Sequence, residues 1–309
     1  MIGVALVSFA VFNFAGDPVT NLVGMQSTDE KREEVRESLG LNDSVPEQFF
    51  NFVSRSVNLE FGISFQHRRL VTDVIAERLP ATLELSIVAA LLALLIGVPL
   101  GVYTALRRDS VVSQFVMSLS LIGVSLPTFL IGILLIYIFA VTFRILPSFG
   151  RGEVVDIGFW STGLLTISGL KSLILPSITL AMFQMTLIMR LVRSEMLEVL
   201  RTDFIQFARA RGLTNKVVNF TYALMNTLVP VLTVVGLQLG SIIAFSLITE
   251  TVFQWPGLGL MFISAVFEVD VPIISTYLLL VALFFVSINL AVDLLYYIVD
   301  PRLRVAQSQ

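Results

Sequence analysis

The chain has no cysteine and a single histidine, and only 14% of its 309 residues are charged. Without cysteine there are no disulfides, no thiolate metal sites and no cysteine nucleophile. The one histidine, His67, stands beside Arg68 and Arg69 in a polar stretch. A solvated surface histidine is far commoner there than a catalytic one, and no metal cluster can be built around it. No Gly-x-x-x-x-Gly-Lys-Ser/Thr run occurs, so the chain has no loop of its own to cradle a nucleotide phosphate. No nucleophile–base arrangement can be read either. The chain reads as a non-enzyme with no bound cofactor.

The scarcity of charge is itself informative. Soluble domains carry about 25% charged residues, whereas here hydrophobic residues make up 56% and the mean hydropathy is +0.87. That composition describes an integral membrane protein. Residues 1–16, 110–143, 172–189, 217–249 and 271–292 are uncharged, and Glu84 is the only charge between Arg78 and Arg107. A helix needs roughly 20 apolar residues to cross about 30 Å of hydrocarbon. Six spans are therefore expected, at about 1–15, 80–105, 114–139, 172–192, 226–249 and 274–298. The first is short. A signal peptide is the alternative for it, but there is no basic leading region and no small-x-small site before Gly16-Asp17-Pro18. The uncharged stretch 251–267 contains Trp255-Pro256-Gly257-Leu258-Gly259, which reads as a turn and a short interfacial helix, not a span.

Basic residues cluster in alternate loops. Segments 106–113, 190–225 and the C-terminal tail hold ten, against three in 144–171 and none in 250–273. By the positive-inside rule the first set is cytoplasmic, with both termini inside. Segment 16–78 is then external, with seven basic and eleven acidic residues. Thr28 can N-cap a helix with Asp29 and Glu30 in its first turn and Gly40 at its end. Ser44-Val45-Pro46 opens a second helix with Phe49, Phe50 and Val53 on one face, giving a small external helical cap.

Between two apolar runs lies a polar island, Asp203-Phe204-Ile205-Gln206-Phe207-Ala208-Arg209-Ala210-Arg211-Gly212-Leu213. Thr202 can N-cap a helix here, Asp203 complements its dipole, and Gly212 can close it in a left-handed conformation. Phe204, Phe207 and Ala208 share a face by their spacing, with Arg211 at its end. Such a helix either lies flat on the bilayer with snorkelling arginines or enters a groove in a partner.

The order Asp203-Phe204, then Ala208-Arg209-Ala210-Arg211-Gly212-Leu213, resembles the ATPase-coupling helix of ABC importer permeases, in particular those of the dipeptide/oligopeptide/nickel branch. The general importer motif Glu-Ala-Ala-x-x-x-Gly aligns on Gln206, Phe207, Ala208 and Gly212, departing at the first two. Further stretches resemble the same family in order along the chain. They are Glu77-Arg78-Leu79-Pro80-Ala81-Thr82-Leu83-Glu84-Leu85, Gly97-Val98-Pro99-Leu100-Gly101, Ser125-Leu126-Pro127-Thr128-Phe129, Ala223 to Pro230, Glu250 to Gly259, and Asp300-Pro301-Arg302. Family members usually open with a basic stretch and a full first span, while this chain begins at Met1-Ile2-Gly3. The expectation is that the true start lies upstream.

What the resemblance implies is an all-α integral membrane protein of six transmembrane helices with the ABC type I importer permease fold. Its expected parts are a first helix at 1–15, an external cap at 16–78, a five-helix core at 79–298 and a cytoplasmic tail at 299–309. The core includes a cytoplasmic coupling loop at 193–225 and an external turn at 250–273. The resemblance further implies a bacterial inner-membrane location and peptide import. Its expected partners are a second, homologous permease, two cytoplasmic ABC ATPases that bind ATP and Mg, an external solute-binding protein and membrane lipid, with no nucleic acid. Nickel chelates, glutathione or opines are alternative cargoes. A secondary transporter is the alternative class, which wants broken helices in two matching halves, and no such repeat is visible.

Polar residues within apolar runs are candidates for the pathway or its gate, because ionisable groups in lipid are costly. Glu84 lies one turn into the second span, where the interface can hydrate it. Glu250, before the turn at Trp255, either shapes an external gate or ends a helix. Asn289 and Asp293 share a face at i, i+4 and either line the pathway or bond a neighbouring helix. Gln184 and Gln238 can meet a passing peptide amide or join two helices.

Overall fold

The computed structural model describes residues 2–14, positions 28, 30, 33, 36 and 37, and residues 42–158 and 160–299. Helix α1 runs Ile2–Phe14, α2 Val45–Val57, α3 Val71–Leu106, α4 Val111–Ser125 and α5 Thr128–Leu135. A hairpin of β1 (Val155–Ile157) and β2 (Trp160–Thr162) follows, and then α6 (Ile167–Val199), α7 (Asp203–Ala210), α8 (Leu224–Phe253), α9 (Leu258–Glu268) and α10 (Val271–Val299). Two wider, π-helical segments extend this list, Ile136–Thr142 after α5 and Val217–Ala223 before α8. Most of the helix expected from Thr28 to Gly40 lies outside the described residues, although Glu30, Glu33, Arg36 and Glu37 are helical; the Asp300-Pro301-Arg302 ending and the tail at 299–309, Val299 excepted, also lie outside them.

Three helices, α3, α6 and α10, are long and apolar enough to cross a membrane on their own, and two bent pairs bring the number to five. Helix α1, with 13 residues, is only about 20 Å long, short of the hydrocarbon thickness. The expected span 114–139 is not one straight helix. It breaks between α4 and α5, which meet at 111°. Pro127 is the cause, since it forces Leu126 into an extended conformation and cannot continue the ladder of α4. Helix α3 begins nine residues before the expected start at 80, running through Pro80, so the expected cap at 16–78 is shortened. Helix α6 likewise runs on to Val199, which moves Arg190 and Arg193 out of the loop expected from 190. The antiparallel hairpin β1–β2 was not foreseen.

Helices α3 and α6 share the most extensive interface. Their approach depends on two glycines one turn apart. A methyl group at Gly101 would stand 2.7 Å from the Met189 carbonyl oxygen, and one at Gly97 would stand 3.0 Å from that of Met185. The closeness lets Ala89, Ala93 and Val102 of α3 pack with Ile188, Val192 and Met196 of α6 in one cluster, which continues into Ile205, Ala208 and Val218. Small residues serve association well in a membrane, where dispersion and backbone proximity replace the hydrophobic effect. A second cluster joins the start of α3 to α9 and α10, with Phe262 stacked on Tyr277 at 4.3 Å.

Helix α2 packs on α1 through Phe9, whose ring meets Phe49 edge-on at 5.4 Å and Phe52 at 5.9 Å. The inward face of α2 is therefore Phe49, Phe52 and Val53, while Phe50 is 72% exposed. The expected grouping of Phe50 with Phe49 is corrected: at 100° per residue, adjacent positions diverge, and Phe52 takes its place.

Candidate functional site

The polar island forms helix α7, as expected, and Gly212 has φ +75°. Its closing geometry is a complete Schellman motif. The Gly212 N–H donates to the Arg209 carbonyl at 2.9 Å and the Leu213 N–H to that of Ala208 at 3.4 Å. Thr202 occupies the N-cap position, but its hydroxyl does not cap. It donates to the Val199 carbonyl at 2.6 Å, stitching α7 to the end of α6. Gln206 reinforces this by donating to the Arg201 carbonyl at 3.3 Å.

Ile205 and Ala208 are buried in the main core, whereas Phe204 is 43% and Phe207 64% exposed. The face expected to seat in a partner is thus corrected. Ala208 turns with Ile205 toward the bundle, because those two lie i, i+3 apart on the side that meets segment 217–223. The outward stripe is Phe204, Phe207 and Arg211, with the Arg211 guanidinium 5.8 Å from the Phe207 ring centre. Asp203, Gln206, Arg209 and Ala210 are also exposed. The helix presents two aromatic rings amid arginines that have no carboxylate partner among the described residues, and it is held from behind by Ile205 and Ala208.

At the opposite end of the bundle Glu250, Thr82, Glu84 and Arg151 are buried and bonded to protein partners. Glu250 is fully buried. One carboxylate oxygen accepts from the Thr82 hydroxyl at 2.6 Å and Ser246 at 3.3 Å, and the other from the backbone N–H groups of Gly259 at 2.7 Å and Leu260 at 3.1 Å. A carboxylate from α8 thereby caps the N-terminus of α9. The surrounding glycines make room for it. A methyl group at Gly257 would collide with the Glu250 carboxylate, and one at Gly259 with the Leu247 backbone. Trp255 is 1% exposed and its indole N–H donates to the Ala81 carbonyl at 2.9 Å, while the Leu258 N–H donates to Thr82 at 2.7 Å. Two motifs nearly 170 residues apart, Pro80-Ala81-Thr82 and Glu250 to Gly259, are therefore one node.

Glu84 is corrected as well. It is not hydrated by the interface but buried, and paired with Arg151 at 2.6 Å, with both side chains below 10% exposure. Arg151 also donates to the Ser161 carbonyl at 2.6 Å and its hydroxyl at 3.0 Å, clamping the β1–β2 hairpin onto α3. Thr82 and Arg151 escaped the sequence reading as partners. A lone carboxylate in a span demands a cation, and that demand was the available signal for Arg151, which sits between Gly150 and Gly152.

The pathway candidates meet in pairs and do not line one common surface. Gln184 on α6 donates to the Gln238 carbonyl at 3.2 Å, to its side chain at 3.3 Å and to Ser241 at 3.2 Å, joining α6 to α8. Being 3% exposed, it faces no open path in this chain. Glu250 and Trp255 are equally enclosed, so neither lines a surface. Asn289 is half-buried and Asp293 exposed on α10, leaving Asp293 as the candidate most open to a path or a neighbour.

Known proteins resemble this chain over most of its length. Residues 97–305 match the family model of the binding-protein-dependent transport system inner membrane component, and residues 1–86 match its N-terminal companion. The chain is 38% identical to a dipeptide transport system permease protein of Alkalihalophilus pseudofirmus, over 98% of this chain and 95% of that one. It is 38% identical to a di/tripeptide transport system permease protein of Pseudomonas aeruginosa, over 98% and 94%. Among solved structures, inward-facing MetNI, a methionine ABC transporter, superposes with a TM-score of 0.59 at 19% identity, covering 74% of this chain and 97% of that one. At that identity the likeness speaks for the fold alone.

Proposed function

Because the chain belongs to the family of binding-protein-dependent transport system inner membrane components, we propose that it works as the membrane-spanning permease subunit of an ATP-driven ABC importer of peptides, with α7 as the helix gripped by an ATPase. Peptide cargo follows from the named relatives. The observation that carries the role of α7 is its two-sidedness: Ile205 and Ala208 sunk in the permease core, Phe204 and Phe207 turned outward.

A cytoplasmic ATPase dimer closes on ATP and drags any helix seated in its surface. Buried Ile205 and Ala208 and the Thr202 bond to Val199 pass that displacement to α6, and segment 217–223 passes it to α8. The ligand-driven shift between states is then one of differential binding. The full assembly comprises a second permease, two ATPases that bind ATP and Mg, and an external binding protein, with the arginine-rich α7 end in the cytoplasm and the long apolar helices across a bacterial inner membrane. Hydrolysis belongs to the ATPases. The polar node around Glu250 faces outward and keeps the external turn rigid.

The test is Gly212→Glu in the complex reconstituted into vesicles with its binding protein. Glutamate strains the left-handed position and places a negative charge beside the docking stripe. The expected result is normal insertion with peptide uptake and substrate-stimulated ATP hydrolysis both lost. Wild-type uptake and full stimulation in this variant would refute the coupling role.

A further inference from the structure

Arg190 is a half-buried cation with no carboxylate beside it among the described residues. Other charges inside or beside the apolar stretches include Glu84, Glu250 and Asp293. Glu84 has Arg151, and Glu250 has four donors. Asp293 is exposed on α10. Arg190 is half-buried between α6 and α4, and its only bond among the described residues is a long one, 3.4 Å to the Ser120 hydroxyl. Its Nε is buried without any acceptor. An arginine held in the membrane without a carboxylate is costly, and such residues ordinarily face a partner.

Direction argues against simple snorkelling to the headgroups. Side chains on a helix lean toward its N-terminus, which for α6 is the end away from α7. Arg190 follows that rule, because Ser120 is the residue whose carbonyl accepts from Thr186, one turn back along α6. The guanidinium thus reaches toward the middle of the span, not toward the α7 end. Gly123 fixes the crossing by letting α4 approach Thr186 and Met182.

We propose that Arg190 is one half of an intramembrane ion pair whose carboxylate is supplied by the second permease chain. The proposal rests on the reading of this chain as a permease subunit. A permanent neighbour suits the site better than cargo. A peptide carboxylate arrives only during transport, and between visits the buried Nε and its guanidinium would stand unmatched. Most of α4 beside Arg190 is exposed in this chain, including Phe115, Leu119 and Ile122, so a facing helix has apolar surface to cover around the pair. Arginine suits the task because its fork holds a carboxylate with two parallel bonds.

The experiment co-expresses the tagged chain with its second permease and both ATPases, then measures how much second permease is recovered in mild detergent. Arg190→Gln should lower that recovery by about thirtyfold, the size expected for stranding one charge of a buried interfacial pair. Arg190→Lys should restore most of it, and the tagged chain itself should stay monodisperse with an unchanged melting temperature. Arg190→Glu should be rescued by a lysine at one intramembrane acidic position of the second permease. Full recovery of the second permease with Arg190→Gln would overturn the proposal, as would a defect confined to uptake of peptides with a free C-terminus and absent for amidated ones. If the wild-type chain recovers no second permease, the permease reading itself fails, and that outcome is distinct.

Discussion

The two ends of this bundle handle polar groups in opposite ways. At the α7 end the charges are exposed, Arg209 and Arg211 have no carboxylate partner among the described residues, and two phenylalanines stand in the open. At the other end Glu84, Glu250 and Asp270 are buried, and each is held by two or more donors. The difference follows from what each end must do. A surface that another protein grips has to leave its chemistry unsatisfied until the partner arrives. A surface that must keep its shape while helices move below it satisfies its own groups internally, and in a dry environment an unsatisfied one is expensive.

The sharpest way to break this contrast is Glu250→Ala. Removing the carboxylate strands the N–H groups of Gly259 and Leu260 and the Thr82 hydroxyl, for a loss of about 3 kcal/mol or more. The apparent melting temperature in detergent should fall by about 5 °C or more, while α7 stays folded. A melt indistinguishable from wild type would show that the node is not what holds the outer end together. Next in size is Gly212→Ala. Alanine in the left-handed conformation costs about 1 kcal/mol, confined to the end of α7. Hydrogen exchange at Arg211 to Leu213 should quicken with little change in the global melt, and a large drop in that melt would make the two ends alike.

The smallest effect separates burial from location. The Ser44 hydroxyl and then its N–H donate to Glu47 at the start of α2, and these bonds hold the Glu47 carboxyl below the usual carboxylate range. With a lowered folded value, the contribution is full above the ordinary carboxylate range and disappears as pH falls through the lowered value. Glu47 is fully exposed, so the change should be slight and local. Protection of the first turn of α2 should decline on acidification in the wild type but not in Glu47→Gln. A pH dependence that survives in Glu47→Gln would assign it elsewhere.

Much of this architecture was legible in residue order. The uncharged runs announce the long helices because lipid tolerates few charges, and the island announces α7 because a cap, an acid and a glycine fall at helix-terminal spacing. What stayed hidden depends on tertiary partners. Nothing in local pattern says that Ala208 turns inward with Ile205, since both faces of so short a helix carry apolar residues. Pro127 reads equally as a kink or a stop, and only packing decides the 111° elbow. The pairing of Glu84 with Arg151 spans 67 residues and leaves no periodic trace, although an isolated carboxylate in an apolar run was itself a question awaiting an answer.

The π-helical turn at Val217–Ala223 ties α7 to α8 with one more residue per turn than an ordinary helix needs. Each residue in a helix carries about 100° of rotation. Deleting one residue here would restore ordinary winding and keep the direction of Phe204 and Phe207 nearly in phase with the long helix that follows, because the widened turn has absorbed that residue. These seven residues act as slack in a drive shaft. One residue lost at this place leaves the docking face pointing where it did, whereas one lost from the α-helical run beyond it would turn that face by about 100°.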